Sequence, residues 1–439
     1  MISVCLRSRT SRVVFALVLF LPAIVLMVCV FKLAIAATLG RSMGVDRVRM
    51  GLALDSGNPE IQHRLGWLES TTDMFEGLGA SPKAMGDLRR SVALAPAEPS
   101  YWSDLATACE STGDLPCATQ AFGQAESLDP AAPRMHWLVA NYDLRAGKTE
   151  ESLAEFRKTL ELDPEYAGPT FQICLQVLGD PAIVSERVIP PGKRSQLALP
   201  FANFLCETGY PDAAFGMWRE IASRGEQFSF ADVIEYLQRL TVLSRFSDVR
   251  AVWTELARRR LLPATNEPSE NLVYNGGFET TPLRAGFDWY YSQPPYVVVD
   301  PLAGMAHHGS RCLRLEFPVK RNEECEAAYE FVPVEPGQEY ELSAFVRSEA
   351  ITSDAGPTLR ITDAIQPEDL RAAAETTVGT TPWHQISVIF TTTPRTRVVR
   401  LSVWRPRSRT YPTEISGSFW LDDVKLRPLS SDAGELTNK

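Results

Sequence analysis

Eight cysteines carry the chemistry that is most directly legible in this 439-residue chain. Cys5 and Cys29 belong to an apolar N-terminal region, and the other six suffice for three disulfides in an oxidising compartment. Cys109 and Cys117 flank a turn at Gly113 where two antiparallel helices are expected to meet. Cys312 and Cys325 flank a polar stretch, residues 320–324, that reads as a strand connection. Cys174 and Cys206 pair by elimination. For each pair the alternative is two buried free thiols.

Other reactive groups are sparse. Of five histidines, none stands at a close metal-ligand spacing with cysteine. The one pair, His307-His308, reads as a polar turn beside Gly309, with a binding role as the alternative. Hydrolysis of a glycosidic bond needs two carboxylates about 5–9.5 Å apart in a cleft. No catalytic barrel is recognisable, and no G-x-S-x-G, H-E-x-x-H or phosphate loop occurs. The chain is therefore read as having no catalytic residues and as not being an enzyme. A net charge of −10 argues against nucleic acid as a partner.

The elements that position these groups begin with residues 13–31, nineteen residues without a charge. At about 1.5 Å per residue they span a hydrocarbon core of about 30 Å. Arg7, Arg9 and Arg12 precede them, which favours a cytoplasmic N-terminus, although Lys32, Arg41, Arg47 and Arg49 follow. The expectation is a cytoplasmic segment 1–12 and a transmembrane anchor 13–37, with the bulk periplasmic or extracellular. Ala34-Ile35-Ala36 resembles a cleavage site, so secretion after removal of a signal peptide is the alternative.

Beyond the anchor, Leu94-Ala95-Pro96, Leu128-Asp129-Pro130 and Leu162-Asp163-Pro164 recur in phase, each proline 34 residues after the last. Trp102, Leu105 and Ala106 share one helical face, Gly113 turns the chain, and Ala118, Phe122 and Ala125 share the next. This pattern resembles the tetratricopeptide repeat, with Ala106 and Cys109 at positions usually held by glycine and tyrosine. The next unit repeats the plan through Trp137, Ala140, Gly147, Phe156 and Leu160, with Ser152 in place of an alanine. An earlier unit from Pro59 contains six extra residues, expected around residues 74–81. After Pro164 the phase decays, but residues 199–223 and 228–260 still read as helical pairs. Residues 45–262 are thus expected to form a helical-repeat solenoid, and the resemblance implies a protein partner in its groove.

Residues 263–270 read as a polar, proline-flanked linker, and beyond them helical period gives way to alternation. Arg311 to Phe317, Tyr340 to Arg347 and Val398 to Trp404 all have period two. Many short strands of this kind indicate a two-sheet antiparallel sandwich over residues 271–429, followed by a disordered tail, 430–439. The opening Asn275-Gly276-Gly277-Phe278-Glu279 and the closing Trp420-Leu421-Asp422-Asp423-Val424 resemble the jelly-roll carbohydrate-binding modules of families four and nine, within the galactose-binding-like superfamily. The expected fold class is multidomain: an N-terminal transmembrane helix, an all-α repeat solenoid and an all-β jelly roll.

Two sites follow from that resemblance. One is a structural calcium ion between the first and last strands, with Glu279 and Asp422 or Asp423 as carboxylates and main-chain oxygens near Gly309 and Arg311. The other is an aromatic platform for an oligosaccharide or polysaccharide. Its candidates are Tyr290, Tyr291, Tyr296, Trp404 and Tyr411, with Arg405, Arg407 and Arg409 able to meet an acidic sugar. Trp289 and Trp383 are assigned to packing. The resulting expectation is a membrane-anchored envelope adaptor in polysaccharide assembly, export or attachment. A scaffold without sugar binding, or an accessory subunit of a glycoside hydrolase, stand as alternatives.

Overall fold

The computed structural model describes residues 9–225, 227–265 and 268–429. The expected tail, the first eight residues with Cys5, and Asn266 and Glu267 of the linker lie outside them. The described residues fold into fourteen α-helices followed by two antiparallel five-stranded sheets. They divide into two compact units, residues 1–194 and 195–439.

The first unit is a run of helical hairpins. α1 (Arg9–Gly40) and α2 (Val45–Leu54) lead into α3 (Pro59–Phe75) with α4 (Pro82–Leu94), α5 (Pro99–Ser111) with α6 (Leu115–Leu128) and α7 (Pro133–Arg145) with α8 (Thr149–Leu162). The shorter α9 (Ala167–Leu178) and α10 (Pro181–Arg187) follow. Pro59, Pro99 and Pro133 each open a helix, where the missing N–H is not needed. Gly113 and Gly147 turn the middle hairpins with a φ of +77°, a backbone state that costs glycine little. At both turns the same bond closes the helix: the amide of Asp114 donates to the Cys109 carbonyl at 3.0 Å, and that of Lys148 to Asp143 at 2.9 Å.

The expected faces meet inside these hairpins. Leu105, Ala106, Cys109, Ala118, Phe122 and Ala125 are all buried. Ser152 is also buried, and its hydroxyl donates to the Ala140 carbonyl at 2.7 Å, so the exchange for alanine leaves no orphaned polar atom. The six extra residues lengthen α3 to 17 residues, against 13 in α5, and widen the turn before Pro82. The first cluster of this unit includes the end of the apolar helix: Ala36 is fully buried with Val48, Ile61, Leu65 and Leu68.

The second unit joins α11 (Arg194–Glu207), α12 (Pro211–Ser223), α13 (Phe230–Val242) and α14 (Phe246–Arg258) to the strands. The hairpin-closing bond persists here although the sequence phase has decayed: Tyr210 donates to Leu205 at 2.7 Å and Arg245 to Leu240 at 2.9 Å. One sheet has the order β1 (Tyr290–Tyr291), β4 (Cys325–Pro333), β9 (Val398–Arg405), β6 (Thr358–Asp363), β7 (Arg371–Ala373). The other has β2 (Val298–Ala303), β3 (Cys312–Arg321), β10 (Ile415–Pro428), β5 (Glu339–Ile351), β8 (Gly379–Thr391). Alternate side chains from both sheets fill the core, with Phe278, Trp289, Leu342, Leu401 and Phe419 among those fully buried. The opening and closing motifs lie together. The Asn271 side chain donates to the Val424 carbonyl and accepts from the Leu426 amide, each at 3.0 Å, and the Val424 amide donates to Gly276.

α13 and α14 pack on this sandwich. Phe246 meets Phe331 at 4.9 Å between ring centres, and Trp253 sets its edge against Tyr274 and Phe287. Gln238 donates to the Arg284 carbonyl at 3.0 Å. The polar stretch after Leu262 therefore does not free the sandwich from the helical pair that precedes it.

The loop beneath that junction holds a buried acid. Burial lifts the carboxyl of Asp288 to about 7, against the pull of the Leu283 and Trp289 amides and the Asn275 side chain. An aspartate ordinarily titrates near 3.9, so the folded state binds this proton more tightly than the unfolded chain. Its contribution is present at pH 4 and lost as pH rises through about 7. Asp288→Asn should remove this component. Relative to the parent, the variant gains up to about 4 kcal/mol between pH 4 and pH 8 at about 1.4 kcal/mol per unit. Urea unfolding at the two pH values checks this, and parallel curves would assign Asp288 no part.

Candidate functional site

The outer face of the sheet containing β4, β9 and β6 brings aromatic and charged side chains together. Period-two alternation along β9 puts Arg400, Ser402 and Trp404 on one side. Register then sets Glu326 of β4 and Thr358 of β6 beside Trp404, and Tyr329 and Arg360 beside Ser402. The Arg360 guanidinium lies 4.5 Å from the centre of the Trp404 ring, and that of Arg400 lies 3.7 Å from the centre of Tyr329. The Trp404 indole N–H donates to Glu324 at 2.9 Å. Glu326 accepts from Arg400, Arg360 and Ser402 at once. The result is a half-buried indole framed by fixed donors and acceptors, which suits a ligand with one apolar face and many hydroxyls.

The expected platform residues divide around this face. Trp404 is its centre. Tyr296 is close by, its hydroxyl 3.4 Å from the main-chain oxygen of Glu324, the residue whose carboxylate holds Trp404. Tyr291 lies under the Arg284 guanidinium and packs on the core. Tyr290 stacks on Tyr329 and turns its hydroxyl to Thr241 of α13, so it serves the junction with the helices and not an open platform. Tyr411 is 92% exposed on the loop before β10. Arg405 departs from the expectation outright. It is 2% exposed, and its guanidinium donates to Ala355, Asn322, Glu323, Ser353 and Thr413, so no donor is left for an acidic sugar. Arg407 pairs with Glu323. The sequence reading missed Arg360, Arg400, Glu326 and Tyr329. The Arg400-x-Ser402-x-Trp404 spacing was the available signal for one of them; the others depend on register between strands.

The expected calcium ligands face amides. Glu279 accepts from the Ser310 amide at 2.7 Å, the Ser310 hydroxyl at 2.8 Å and the Arg311 amide at 3.0 Å. Against the opposing effect of burial, these donors hold its carboxyl below the usual range. Asp422 accepts from the His307, His308 and Asp423 amides, and burial lifts it to about 6. Asp423 contacts His307 at 2.7 Å. A calcium ion takes six to eight oxygens at about 2.3–2.6 Å. These carboxylates instead face N–H groups and the Ser310 hydroxyl, with Gly309 pressed so closely to Glu279 that an added Cβ would lie 2.3 Å from its oxygen. The arrangement does not fit calcium. The His307-His308 turn forms as expected, with His307 stacked on Phe345.

Of the cysteines, Cys109 and Cys117 form a disulfide, with Cα atoms 5.8 Å apart. Cys312 and Cys325 are buried free thiols. The polar connection adjoins Cys325, but Cys312 starts β3, and nine residues of strand carry the chain about 30 Å before it turns. That exceeds the reach of a disulfide. Cys174 and Cys206 are likewise free and buried, and burial pushes the Cys174 thiol up to about 12.

Two concavities accompany these groups. One of about 500 Å³ lies where α14 meets the sandwich, between Phe246, Ser247 and Arg250 and the loops of Asp363, Ile365 and Arg397. In the first unit, one of about 370 Å³ is lined by Arg41, His63, Arg64, Trp67, Asp104 and Arg134. There His63 stacks on Tyr101 and contacts Asp104 at 2.8 Å.

Residues 270–413 match a family model described as a carbohydrate binding domain. The sandwich is a domain of that family. The match covers a third of the chain and concerns the sandwich alone. Among solved structures, the chain is similar to residues 41 to the end of MamA from Desulfovibrio magneticus RS-1, at 21% identity over 28% of this chain and 65% of that one, with a TM-score of 0.24. The chain thus spans just under two thirds of that structure's length. A second crystal structure of MamA matches at 15% identity over 42% of this chain and 86% of that one, with a TM-score of 0.25. A structure described as "CBM4 structure and function" matches at 13% identity over 36% of this chain and 99% of that one, with a TM-score of 0.27. No curated protein matches the chain. The chain thus joins a run of helical hairpins to a C-terminal jelly roll that matches a carbohydrate binding domain.

Proposed function

We propose that this protein is a membrane-anchored envelope adaptor whose sandwich binds a glycan and whose repeats hold a protein partner. The observation that carries the glycan reading is the Trp404 face, an indole held between Arg360, Glu324 and Glu326 within the segment that matches a carbohydrate binding domain. The concavity at Trp67, where Arg41, Arg64 and Arg134 stand with Glu60 and Asp104, supports the reading of a protein partner held through charged groups. A place in polysaccharide assembly, export or attachment joins the two properties. The reading is non-enzymatic, since both carboxylates beside the platform are held, Glu326 by two arginines and a serine and Glu324 by the Trp404 indole and Arg360. Membrane anchoring is supported by α1, whose segment Phe20–Gly40 has a mean hydropathy of 2.5 and is long enough to cross a bilayer. A signal sequence passes the same test, but cleavage after Ala36 would cut through the first packed cluster of the repeats.

The 195–429 unit tested on an array of bacterial and plant polysaccharides should bind at least one class. Trp404→Ala should weaken that binding by about tenfold or more, the loss of one stacking partner, with an unchanged circular dichroism spectrum. Absence of binding to every polysaccharide would leave the scaffold reading.

A further inference from the structure

Three side chains in the repeats converge without any role in the reading above. Glu126 ends α6, His136 begins α7 and Glu155 lies on α8. One ligand atom of each lies within 4.8 Å of those of the other two, the one such group of three or more among the described residues. His136 is 3% exposed. Its Nε2 lies 3.0 Å from the Pro130 carbonyl oxygen, which can only accept, so Nε2 carries the proton. Its Nδ1 lies 2.7 Å from Glu155 Oε2 and 3.8 Å from Glu126 Oε1. A neutral ring with that tautomer aims a bare lone pair at two carboxylates, and a cation among the three atoms resolves the conflict.

We propose that this cluster is a binding site for a divalent transition-metal ion of the zinc class. The donors suit such an ion: one imidazole nitrogen and two carboxylate oxygens, with water at a fourth position. The contact from Nε2–H to a backbone carbonyl is the outer-shell partner that ligating histidines adopt to fix their tautomer and orientation. Glu126 is 39% exposed, so the site opens to solvent on that side. Its ligands come from two successive hairpins, so the ion would clamp one repeat to the next.

The test uses the full chain in detergent, stripped with EDTA and titrated with zinc chloride alone. The parent should bind one zinc ion at this site with a rise in Tm. Glu126→Gln, whose exposed side chain leaves the His136–Glu155 contact intact, should bind zinc about tenfold or more weakly while its metal-free Tm is unchanged. His136→Gln should show the same loss. If the parent takes up no zinc, the cation at Nδ1 is a proton and the proposal falls. Equal zinc affinity in the parent and Glu126→Gln would place the metal elsewhere, for instance at His63–Asp104 or His307–Asp423, and would overturn it too.

Discussion

Gly286→Val should destabilise the 195–429 unit by about 2–5 kcal/mol, seen as a fall in the urea midpoint. Gly286 has a φ of +58°, where a β-branched residue is strained by about 1–2 kcal/mol. An added Cβ would also lie 2.5 Å from Cε3 of Trp253 and 2.9 Å from Cδ2 of Leu237. Neither neighbour can retreat freely, because Trp253 is wedged against Tyr274 and Phe287 and Leu237 is fully buried. Overpacking of that kind adds about 1–3 kcal/mol. A control separates the two causes. In a 271–429 fragment, which lacks both neighbours, only the backbone part should remain. An equal penalty in both proteins would mean that the helices do not press on the sandwich. The fragment itself should be the less stable protein, since it uncovers Tyr274, Phe287, Tyr290 and Phe331.

Arg405→Met should cost about 3–5 kcal/mol, as large as the loss of a buried aromatic side chain. Arg405 is held not by a carboxylate but by neutral oxygens on several separate segments. It donates to Ala355 and Thr413 main-chain oxygens at 3.1 Å, to that of Glu323 at 2.8 Å, and to the Asn322 and Ser353 side chains. Burial lowers the affinity of the guanidinium for its proton, yet a methionine has no hydrogen to donate to the acceptors of that shell. Each acceptor left behind costs about 1–3 kcal/mol. Arg405→Lys should recover only part of this, because an ammonium has three donors where the guanidinium has five in a fixed fork. Thermal unfolding of the three proteins checks the order. A methionine variant as stable as the parent would mean that water replaces the guanidinium.

The contrast between Arg405 and Trp404 shows what could be read in advance. The fold was largely legible, because prolines at 34-residue spacing, glycines at turns and period-two runs act locally on the backbone. The packing face of each hairpin followed from three- and four-residue spacing, as for Ala118 and Phe122. Trp404 was legible as a surface aromatic in an alternating strand. Its neighbour Arg405 was not legible as a buried stitch, since its partners lie 8 to 83 residues away in sequence. The free thiols of Cys312 and Cys325 depended on which end of a strand each occupies, and a flanking pattern does not give that. The Glu126, His136 and Glu155 cluster carries no motif, because its nineteen-residue spacing becomes a contact only when α7 folds back on α8 and its ten-residue spacing only when two hairpins stack.

The last turns of α1, the C-terminal end of its apolar span, are mortised into the first cluster of the repeats through Ala36, with Gly40 against Ile61. A protein held to a bilayer by this helix has no swivel at its base. Its first repeats would rise at a set angle, like a mast stepped into a deck, and sweep a narrow cone instead of a hemisphere. Partners would then be met at one height above the lipid. A string of glycines and serines inserted after Gly40 would replace that fixed post with a leash.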